Sequence, residues 1–255
     1  MNVVLIGTGN TATILGRLIK QTGHDVLQVY GRSADHASIL AGSLGCNYTI
    51  SLDSLDPRGD LYIIAVTDSA ISSIVSEWKF PRKMVVHTAG SVSKDVLQTA
   101  SKNYGVLYPL QSFRKEVADI TSIPFLVDAN TGDDLRLLYD FACTLSGNVK
   151  KADDKERATY HLAAVVLNNF TNHLITLTNE FCVQTKTDFS LLVPLLKQLP
   201  DRLMQYSPGE LQTGPAIRND QSTIVKQLGL LEEFPELKNL YTLFTKSIQA
   251  YHYKK

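Results

Sequence analysis

Apolar runs and amphipathic stretches alternate along the first half of the chain. The runs that are rich in β-branched residues predict strands, at Val3–Ile6, Val26–Tyr30, Leu61–Val66, Met84–His87, Val106–Tyr108 and Phe125–Asp128. The stretches between and after them predict helices, at Ala12–Gln21, Asp35–Leu44, Ala70–Glu77, Ser93–Lys102 and Asp133–Leu145. Because strands separated by helices are typical of βαβ units, we predict an α/β domain with a mainly parallel sheet. A short run at Asn148–Lys151 ends this half.

The second half of the chain shows helical patterns throughout. The helical segments lie at Asp154–Thr185, Leu191–Gln205, Thr223–Glu232 and Glu236–Tyr251. Proline and glycine residues mark the breaks between these segments. We therefore predict two domains, an α/β domain over residues 1–152 and an all-helical domain over residues 153–255.

The long helix predicted at Asp154–Thr185 has no charged residue from Ala158 to Asn179. At 100° per residue its polar side chains share one arc, occupied by His161, Asn168, Asn169, Asn172, Thr176 and Asn179. Apolar residues cover the rest, so we expect this helix to be buried nearly all round. The neutral polar strip would face a ligand cleft, a partner subunit, or each at different points.

Charge and cysteine content narrow the class of protein. The chain has 255 residues, and its 25 Lys and Arg residues balance 25 Asp and Glu residues. This balance argues against nucleic acid or an anionic membrane as the main partner. Cys46, Cys143 and Cys182 lack metal-site spacing, so we predict reduced thiols in a cytoplasmic protein without a metal site. The N-terminus lacks a signal-peptide pattern, and the Asn, His and Thr residues after Ala158 argue against a membrane span.

The first predicted strand ends in a glycine-rich loop that fits the pattern G-x-G-x-x-A. Gly7 permits a tight turn, Gly9 allows a pyrophosphate to approach the backbone, and Ala12 permits close helix packing. The following helix offers free N–H groups to phosphates. We therefore predict a Rossmann-like dinucleotide site, in which the loop residues that contact the cofactor are Gly7, Thr8, Gly9, Asn10 and Thr11.

The residues after the second strand indicate which dinucleotide is bound. An NAD site has Asp or Glu there for the ribose hydroxyl, whereas this chain has Gly31, Arg32 and Ser33. Because arginine can bind a 2′-phosphate through two N–H groups, we predict NADP, with Arg32 and Ser33 as ligands. In the alternative, Arg32 is a solvated charge, Ser33 only caps the next helix, and Asp35 reaches the ribose.

Polar residues follow several other predicted strands, at the edge where such sheets bind ligands. The segment from Ala65 to Ile71 follows the third strand, and we predict cofactor contacts from Ala65, Val66, Thr67 and Ile71. The loops after the next two strands predict substrate contacts from His87, Ser91, Gln111 and Ser112. Each of these loops could instead be a plain connection, and His87 could be a packed core histidine.

Seven motifs occur in order along almost the whole chain: GTGNTA, GRS, VTDSAI, HTAGS, YPLQSF, YHLAAVVLNNF and TGPAIRND. In these motifs the chain resembles bacterial Rossmann-like NADP oxidoreductases with a C-terminal helical domain of unknown function. It is more distantly similar to pyrroline-5-carboxylate reductases, deazaflavin-dependent NADP reductases and β-hydroxyacid dehydrogenases. The resemblance implies NADP, a homodimer built through a helical domain like the C-terminal domain of 6-phosphogluconate dehydrogenase, and a small-molecule substrate of unknown identity.

The β-hydroxyacid dehydrogenases carry a Lys-x-x-Asn-Asn pattern on a comparable helix, and the lysine there transfers a proton. If Asn168 and Asn169 match that pair, the lysine position holds Val165, which cannot transfer a proton. His161 lies one turn earlier on the same helical face, and histidine can donate a proton near neutral pH. We therefore predict His161, Asn168 and Asn169 as catalytic residues, with a packing histidine as the alternative for His161.

The motif TGPAIRND supplies the remaining candidates. Similar Pro–Gly loops of pyrroline-5-carboxylate reductases enter the active-site region, so we predict that Arg218 binds a substrate carboxylate. Asp220 would orient Arg218 or His161. In the alternative, Arg218 and Asp220 form a local pair, and Asn219 or Asp220 caps the next helix.

These features give two hypotheses about function. The first is an NADPH-dependent oxidoreductase that reduces a C=O or C=N group of a small, anionic substrate. The second is a regulator or sensor that binds NADP without catalysis, which the absence of a helix lysine would favour.

Overall fold

The computed structural model of the chain describes residues 1–79, 82–116 and 123–253. It divides into two compact units, Met1–Val166 and Leu167–Lys255. The helix that begins at Asp154 therefore belongs to the first unit by its contacts, although the sequence pattern assigns it to the helical half. The domain division between residues 152 and 153 stays a prediction.

The first unit contains one eight-stranded sheet with the order β3-β2-β1-β4-β5-β6-β7-β8. Its strands are β1 (Asn2–Ile6), β2 (Asp25–Tyr30), β3 (Asn47–Thr49), β4 (Leu61–Ile64), β5 (Met84–His87), β6 (Asn103–Pro109), β7 (Phe125–Ala129) and β8 (Val149–Lys151). Neighbouring strands are parallel except β6 and β7, which pair antiparallel. The order 3-2-1-4-5-6 is that of dinucleotide-binding folds, which confirms the predicted fold class.

The helices connect successive strands in the first unit and form the second unit. They are α1 (Asn10–Gln21), α2 (Ala34–Leu44), α3 (Asp68–Glu77), α4 (Gly132–Leu145), α5 (Asp154–Ala164), α6 (Thr171–Gln184), α7 (Val193–Leu203), α8 (Gln221–Leu230) and α9 (Pro235–His252). Short 3-10 helices lie at Leu52–Ser54, Lys94–Leu97 and Phe189–Leu192. None of the helices in the described residues is long and apolar enough to cross a lipid bilayer.

The sheet of the first unit separates two apolar cores. Val3 and Leu5 of β1 pack into one core with α1, α2 and α4, whereas Val4 and Ile6 pack into the other with α3. All four side chains are 0% exposed. Strands that are buried on both faces have continuous apolar sequences, and this accounts for the strong strand signal of the first half.

The prediction of a helix at Ser93–Lys102 is wrong. The structure has only a 3-10 helix at Lys94–Leu97, and the bonds from Gln98 N to Asp95 O and from Ala100 N to Leu97 O span three residues. Leu97 and Ala100, which are buried three positions apart, fit this tighter helix. The strand β3 was not predicted, because its three residues are too short for a periodic pattern.

The predicted long helix also changes its geometry. Val165–Phe170 forms a π-helix between α5 and α6, so the wheel of 100° per residue does not hold there. The expected burial is also wrong for a single chain, because Leu162, Leu167 and Phe170 are 64%, 75% and 61% exposed. A neutral, apolar helix surface remains uncovered in one copy of the chain.

The second unit has its own small core. Phe181 of α6 packs edge-on against Phe234 with ring centroids 4.9 Å apart, and Leu177, Ile224 and Leu231 are buried. Its described residues form helices and connecting turns, as the sequence predicts for this half.

Candidate functional site

The glycine loop after β1 has the geometry that the sequence motif predicts. Gly7 has a φ of +130°, and a Cβ atom there would lie 2.1 Å from the carbonyl oxygen of Ala65. Gly9 precedes α1, and no atom lies within 4 Å of the position of its absent Cβ. No side chain caps the first turn of α1, which also lacks acidic residues. The first N–H groups of α1 are therefore available to an anion.

A cleft of about 840 Å³ opens at this loop. It lies at the carboxyl ends of β1, β2 and β4, where the strand order reverses and where such sheets bind nucleotides. The predicted cofactor residues that line it are Gly7, Thr8, Gly9, Asn10, Thr11, Arg32, Ala65, Val66 and Thr67. Two others lie elsewhere: Ile71 is buried in the apolar core, and the Ser33 side chain accepts a hydrogen bond from His36 N at the start of α2.

The end of β2 has no room for an acidic side chain. A Cβ atom on Gly31 would lie 2.6 Å from Cγ2 of Thr8. Tyr30, the last residue of the strand, is buried. Arg32 is exposed and lines the cleft, so a cation stands where an NAD site would present a carboxylate.

The loop after β5 is organised around a buried histidine. His87 is 0% exposed; its Nδ1 accepts from Ala89 N at 3.1 Å, and its Nε2 donates to Ser93 O at 3.3 Å. Burial, followed by the charge of Arg157, lowers the pKa of His87 to about 4. His87 is therefore neutral at physiological pH and supports the loop, as in the alternative of a packed core histidine, and its role as a substrate contact stays a prediction.

Three side chains on one face of α5 fasten this loop, at spacings of three and four residues. Asp154 accepts from Ser93 Oγ and from Lys94 N, the latter at 3.2 Å. Arg157 is 1% exposed and donates through Nη2 to Val92 O and, at 2.7 Å, to Asp154. Burial would raise the pKa of Asp154, but hydrogen bonds from Ser93, Arg157 and Lys94 lower it.

The third residue on that face, His161, lies against the same loop. A Cβ atom on Gly90 would lie 2.7 Å from Cγ and Nδ1 of His161. The hydroxyl of Tyr108, at the end of β6, lies 2.9 Å from Nδ1. Within the part of the chain that the structure describes, Nε2 of His161 forms no hydrogen bond. His161 therefore presents one ring nitrogen at the carboxyl edge of the sheet.

Burial and two charged groups act on the Tyr108 hydroxyl. Burial raises the pKa of Tyr108, the charge of Asp68 raises it further, and Arg157 opposes them. Asp68 also accepts from Ser91 Oγ at 2.6 Å, which joins the loop after β4 to the loop after β5. The predicted substrate residue Ser91 thus lies beside the loop that begins at the cofactor cleft.

Other predicted site residues lie at the surface. Gln111 accepts from Ser112 N at 3.0 Å, and both are exposed. Asn168 and Asn169 are exposed in the π-helix, and Nδ2 of Asn168 donates to Oδ1 of Asn169 at 3.4 Å. A π-helix turn is often found at functional sites, so the position of the asparagine pair is compatible with its predicted role.

The motif TGPAIRND forms a loop fixed within the second unit. Asp220 caps α8 by accepting from Thr223 N at 3.0 Å and from Thr223 Oγ1 at 2.7 Å. This is the alternative role of Asp220, a helix cap. These hydrogen bonds lower the pKa of Asp220, with a smaller effect from Arg218. Arg218 is exposed and forms no ion pair within the described residues.

The sequence does not indicate that Tyr108 and Gly90 contact His161, or that Asp154 and Arg157 bind the same loop. Asp154, Arg157 and His161 are three and four residues apart, so the sequence places them on one face of a helix. A solvated face would have the same spacing. Tyr108 carried no signal, because it lies 53 residues from His161. Among the described residues, no group of His, Cys, Asp and Glu side chains could hold a metal ion.

A mainly parallel sheet with a glycine loop and a cleft at its switch point defines a dinucleotide-binding protein of the Rossmann class. Two known families match the chain: one described as NADP oxidoreductase coenzyme F420-dependent, over residues 2–90, and a domain of unknown function (DUF2520), over residues 123–248. A solved structure described as a putative NADP oxidoreductase from Bacteroides fragilis has 36% identity and a TM-score of 0.89, and 98% of each chain is covered. The chain belongs to this NADP oxidoreductase family.

Two more distant structures have the same fold. The pyrroline-5-carboxylate reductase of Streptococcus pyogenes has 16% identity and a TM-score of 0.66, over 98% of each chain. A reductive aminase from Aspergillus terreus, solved with NADPH and ethyl-5-oxohexanoate, has 16% identity and a TM-score of 0.67, over 96% of this chain and 94% of that one. Comparison with curated proteins gave no significant match. The family confirms the predicted resemblance and the predicted cofactor, NADP.

Proposed function

We propose that this chain is an NADPH-dependent reductase of a C=O or C=N group in a small, anionic compound. The observation that carries the proposal is His161, held by Tyr108 against Gly90 on the sheet edge that also carries the cofactor cleft. NADPH, when bound, supplies the hydride. The protein must then supply a proton to the oxygen or nitrogen that becomes the alcohol or amine, and His161 has a ring nitrogen available for this.

The residues of the cleft fit the cofactor. Gly7 and Gly9 bring the backbone close to a pyrophosphate, and the uncapped first turn of α1 offers N–H groups to it. Arg32 would hold the 2′-phosphate, because it lines the cleft beside Gly31, where an acidic side chain is excluded. Ser33 keeps its predicted cofactor role in this proposal, although its hydroxyl accepts from His36 N at the start of α2.

The proposal keeps the substrate roles that the sequence predicts in the second unit. Arg218 is exposed and unpaired among the described residues, so it is able to bind a carboxylate. Asn168 and Asn169 offer amide groups without net charge. Asp220 supports Arg218 through its charge, while its carboxylate caps α8.

Cofactor binding and turnover test the proposal separately. Fluorescence titration should give a lower Kd for NADPH than for NADH. A screen of carbonyl and imine compounds with NADPH, with and without a carboxylate, should then give turnover of an anionic compound. We expect His161→Ala to keep its NADPH affinity and to lose about 10²–10⁴ in kcat.

His252→Ala, at the last residue of α9, is the matched control and should keep full turnover. An unchanged kcat in His161→Ala would contradict the proton-donor role. Failure of every compound in the screen, with tight NADPH binding, would favour the alternative function, a regulator that binds NADP without catalysis. Val165 at the position of the dehydrogenase lysine favours that alternative.

We also propose that the chain forms a homodimer through its helical half. In one copy, large apolar side chains of this half are exposed: Leu162, Leu167, Phe170, Leu191, Leu195, Leu199, Met204 and Phe244. Soluble monomers rarely expose so many apolar side chains, and a second copy would cover them. Light scattering at micromolar concentration should give twice the mass of 28.2 kDa, and a monomer would contradict the proposal.

A further inference from the structure

The tautomer of His161 decides the direction of its hydrogen bond with Tyr108. Tyr108 is 8% exposed, so its hydroxyl proton needs an acceptor inside the protein. Nδ1 of His161, at 2.9 Å, is the one acceptor within hydrogen-bonding distance among the described residues. These surroundings favour donation by the hydroxyl to Nδ1 of the neutral ring, with the proton of that ring on Nε2.

The same hydroxyl can hold the ring after protonation. When His161 carries protons on both nitrogens, Nδ1–H donates to the hydroxyl oxygen, which is also an acceptor. The groups that act on Tyr108 keep its hydroxyl protonated at neutral pH, because burial and then Asp68 raise the pKa of Tyr108 against the effect of Arg157. The orientation of the ring is thus independent of its protonation state.

Gly90 supports the other side of the ring. The position of its absent Cβ lies 2.7 Å from Cγ and Nδ1 of His161 and 3.0 Å from its Cβ, so no side chain fits between residue 90 and the imidazole in this arrangement. The ring of Tyr108 packs edge-on against the imidazole, with centroids 5.9 Å apart and an interplanar angle of 78°. A side chain at residue 90 would push His161 off this backbone.

We propose that Tyr108 is a positioning residue, which fixes the His161 ring through Nδ1 so that Nε2 is the nitrogen offered to the substrate, and that Gly90 is the surface on which the ring rests. The inference rests on the proposed function for the identity of the group at Nε2. The orientation of the ring itself is a property of the free protein and is measurable without a substrate.

Nitrogen NMR of the ¹⁵N-histidine-labelled full chain tests this orientation. The spectrum is recorded at about pH 8.5, two units above the ordinary histidine pKa of about 6.5, and His161→Asn assigns the signal. We expect one tautomer, with a proton on Nε2 and an unprotonated Nδ1. In Tyr108→Phe, which keeps the aromatic ring, the Nδ1 signal should shift and the tautomers should mix. Gly90→Ala should also shift the signals of His161.

Two control variants make the same chemical changes at positions away from His161. Tyr104→Phe removes a hydroxyl from the same strand, where it contacts Asp95 at 3.2 Å, and Gly42→Ala adds a methyl group with no atom within 4 Å. Both should leave the His161 signals unchanged. Identical His161 signals in Tyr108→Phe and wild type would overturn the inference, as would a ring proton on Nδ1 in the wild type.

A substrate, once found, adds a kinetic measurement. Tyr108→Phe should lower kcat about tenfold, the rate equivalent of one neutral hydrogen bond, and leave the KM for NADPH unchanged. A purely structural role would instead change both constants or lower the thermal stability. The two failures are distinguishable: full activity of His161→Ala refutes the proposed proton donor, whereas unshifted NMR signals in Tyr108→Phe refute the positioning role.

Discussion

The carboxyl edge of the sheet carries two sites that are built in different ways. At β1, β2 and β4, the cleft is lined by the loop Gly7–Thr11, by the ends of two other strands and by one face of α3, and its glycine loop depends on backbone geometry. At β5 and β6, the candidate catalytic group depends on side chains from a loop, a strand and a helix, with Tyr108 and His161 separated by 53 residues. The first site tolerates little change in backbone geometry, whereas the second depends on pairs of side-chain contacts.

The largest expected effect concerns the backbone site. Gly7→Ala puts a methyl group 2.1 Å from Ala65 O at a φ of +130°. Overpacking and backbone strain together should lower the free energy of unfolding by about 4 kcal/mol and abolish NADPH binding. Urea unfolding and cofactor titration measure both effects. Gly42→Ala, in open space within α2, should be neutral or slightly stabilising. Equal stability of Gly7→Ala and wild type would show that the loop can relax.

The next largest effect concerns His87, which lies in the loop of the side-chain site. The pKa of His87 in the folded chain is about 4, below the ordinary value of about 6.5, so the fold favours the neutral ring. Its contribution to stability is fully present above pH 6.5 and is lost as the pH falls to 4, because the unfolded chain binds the proton first. The loss amounts to about 3 kcal/mol.

Urea unfolding at pH 7, 5.5 and 4 measures this contribution. His87→Gln should lack the part of the pH dependence that wild type shows between pH 6.5 and 4, although it is less stable at pH 7. His36→Gln, at an exposed position in α2, should keep the wild-type pH dependence. Parallel curves for wild type and His87→Gln would contradict the neutral, buried state of the ring.

A somewhat smaller effect is expected on NADPH affinity when the arginine of the cleft is removed. Arg32→Ala removes the cation that lines the cleft beside Gly31. Losing one charge-assisted phosphate contact should weaken NADPH binding by roughly ten- to a hundredfold, or about 1.5–3 kcal/mol. NADH affinity should hardly change. Calorimetric titration measures both, with Arg136→Ala on α4 as the control. Equal affinity of wild type for the two cofactors would contradict the assignment.

The smallest expected effect concerns the contact between the loop after β5 and α5. Ser93→Ala removes the hydroxyl that donates to Asp154. The same Oγ accepts from Asp95 N at 3.2 Å, so the substitution removes two hydrogen bonds. The free energy of unfolding should fall by about 1–2 kcal/mol. Thermal unfolding measures it, with Ser76→Ala on α3 as the control. A loss as large as that of Gly7→Ala would mean that the two sites do not differ as described.

Most strands of the sheet were predictable from the sequence, whereas the 3-10 helix and the π-helix were not. The strands β1, β4 and β5 were found because both of their faces are buried, which makes their sequences continuously apolar. The 3-10 helix at Lys94–Leu97 and the π-helix at Val165–Phe170 were missed, because they differ from α-helices in hydrogen bonding rather than in composition. His161 was identified as a candidate from its helical face, but its partners were not.

The sequence by itself determined the α/β class, the glycine loop and the preference for NADP. Each depends on residues that are close in the chain, where the position of Gly7 or Arg32 in a motif already implies its geometry. Only the tertiary structure decided that His87 is a neutral support, that Asp220 is a helix cap and that His161 rests on Gly90 beside Tyr108. The physical reason is that burial and contacts between distant residues fix the state of a side chain, and a linear pattern does not encode which distant residue will fill the adjoining space.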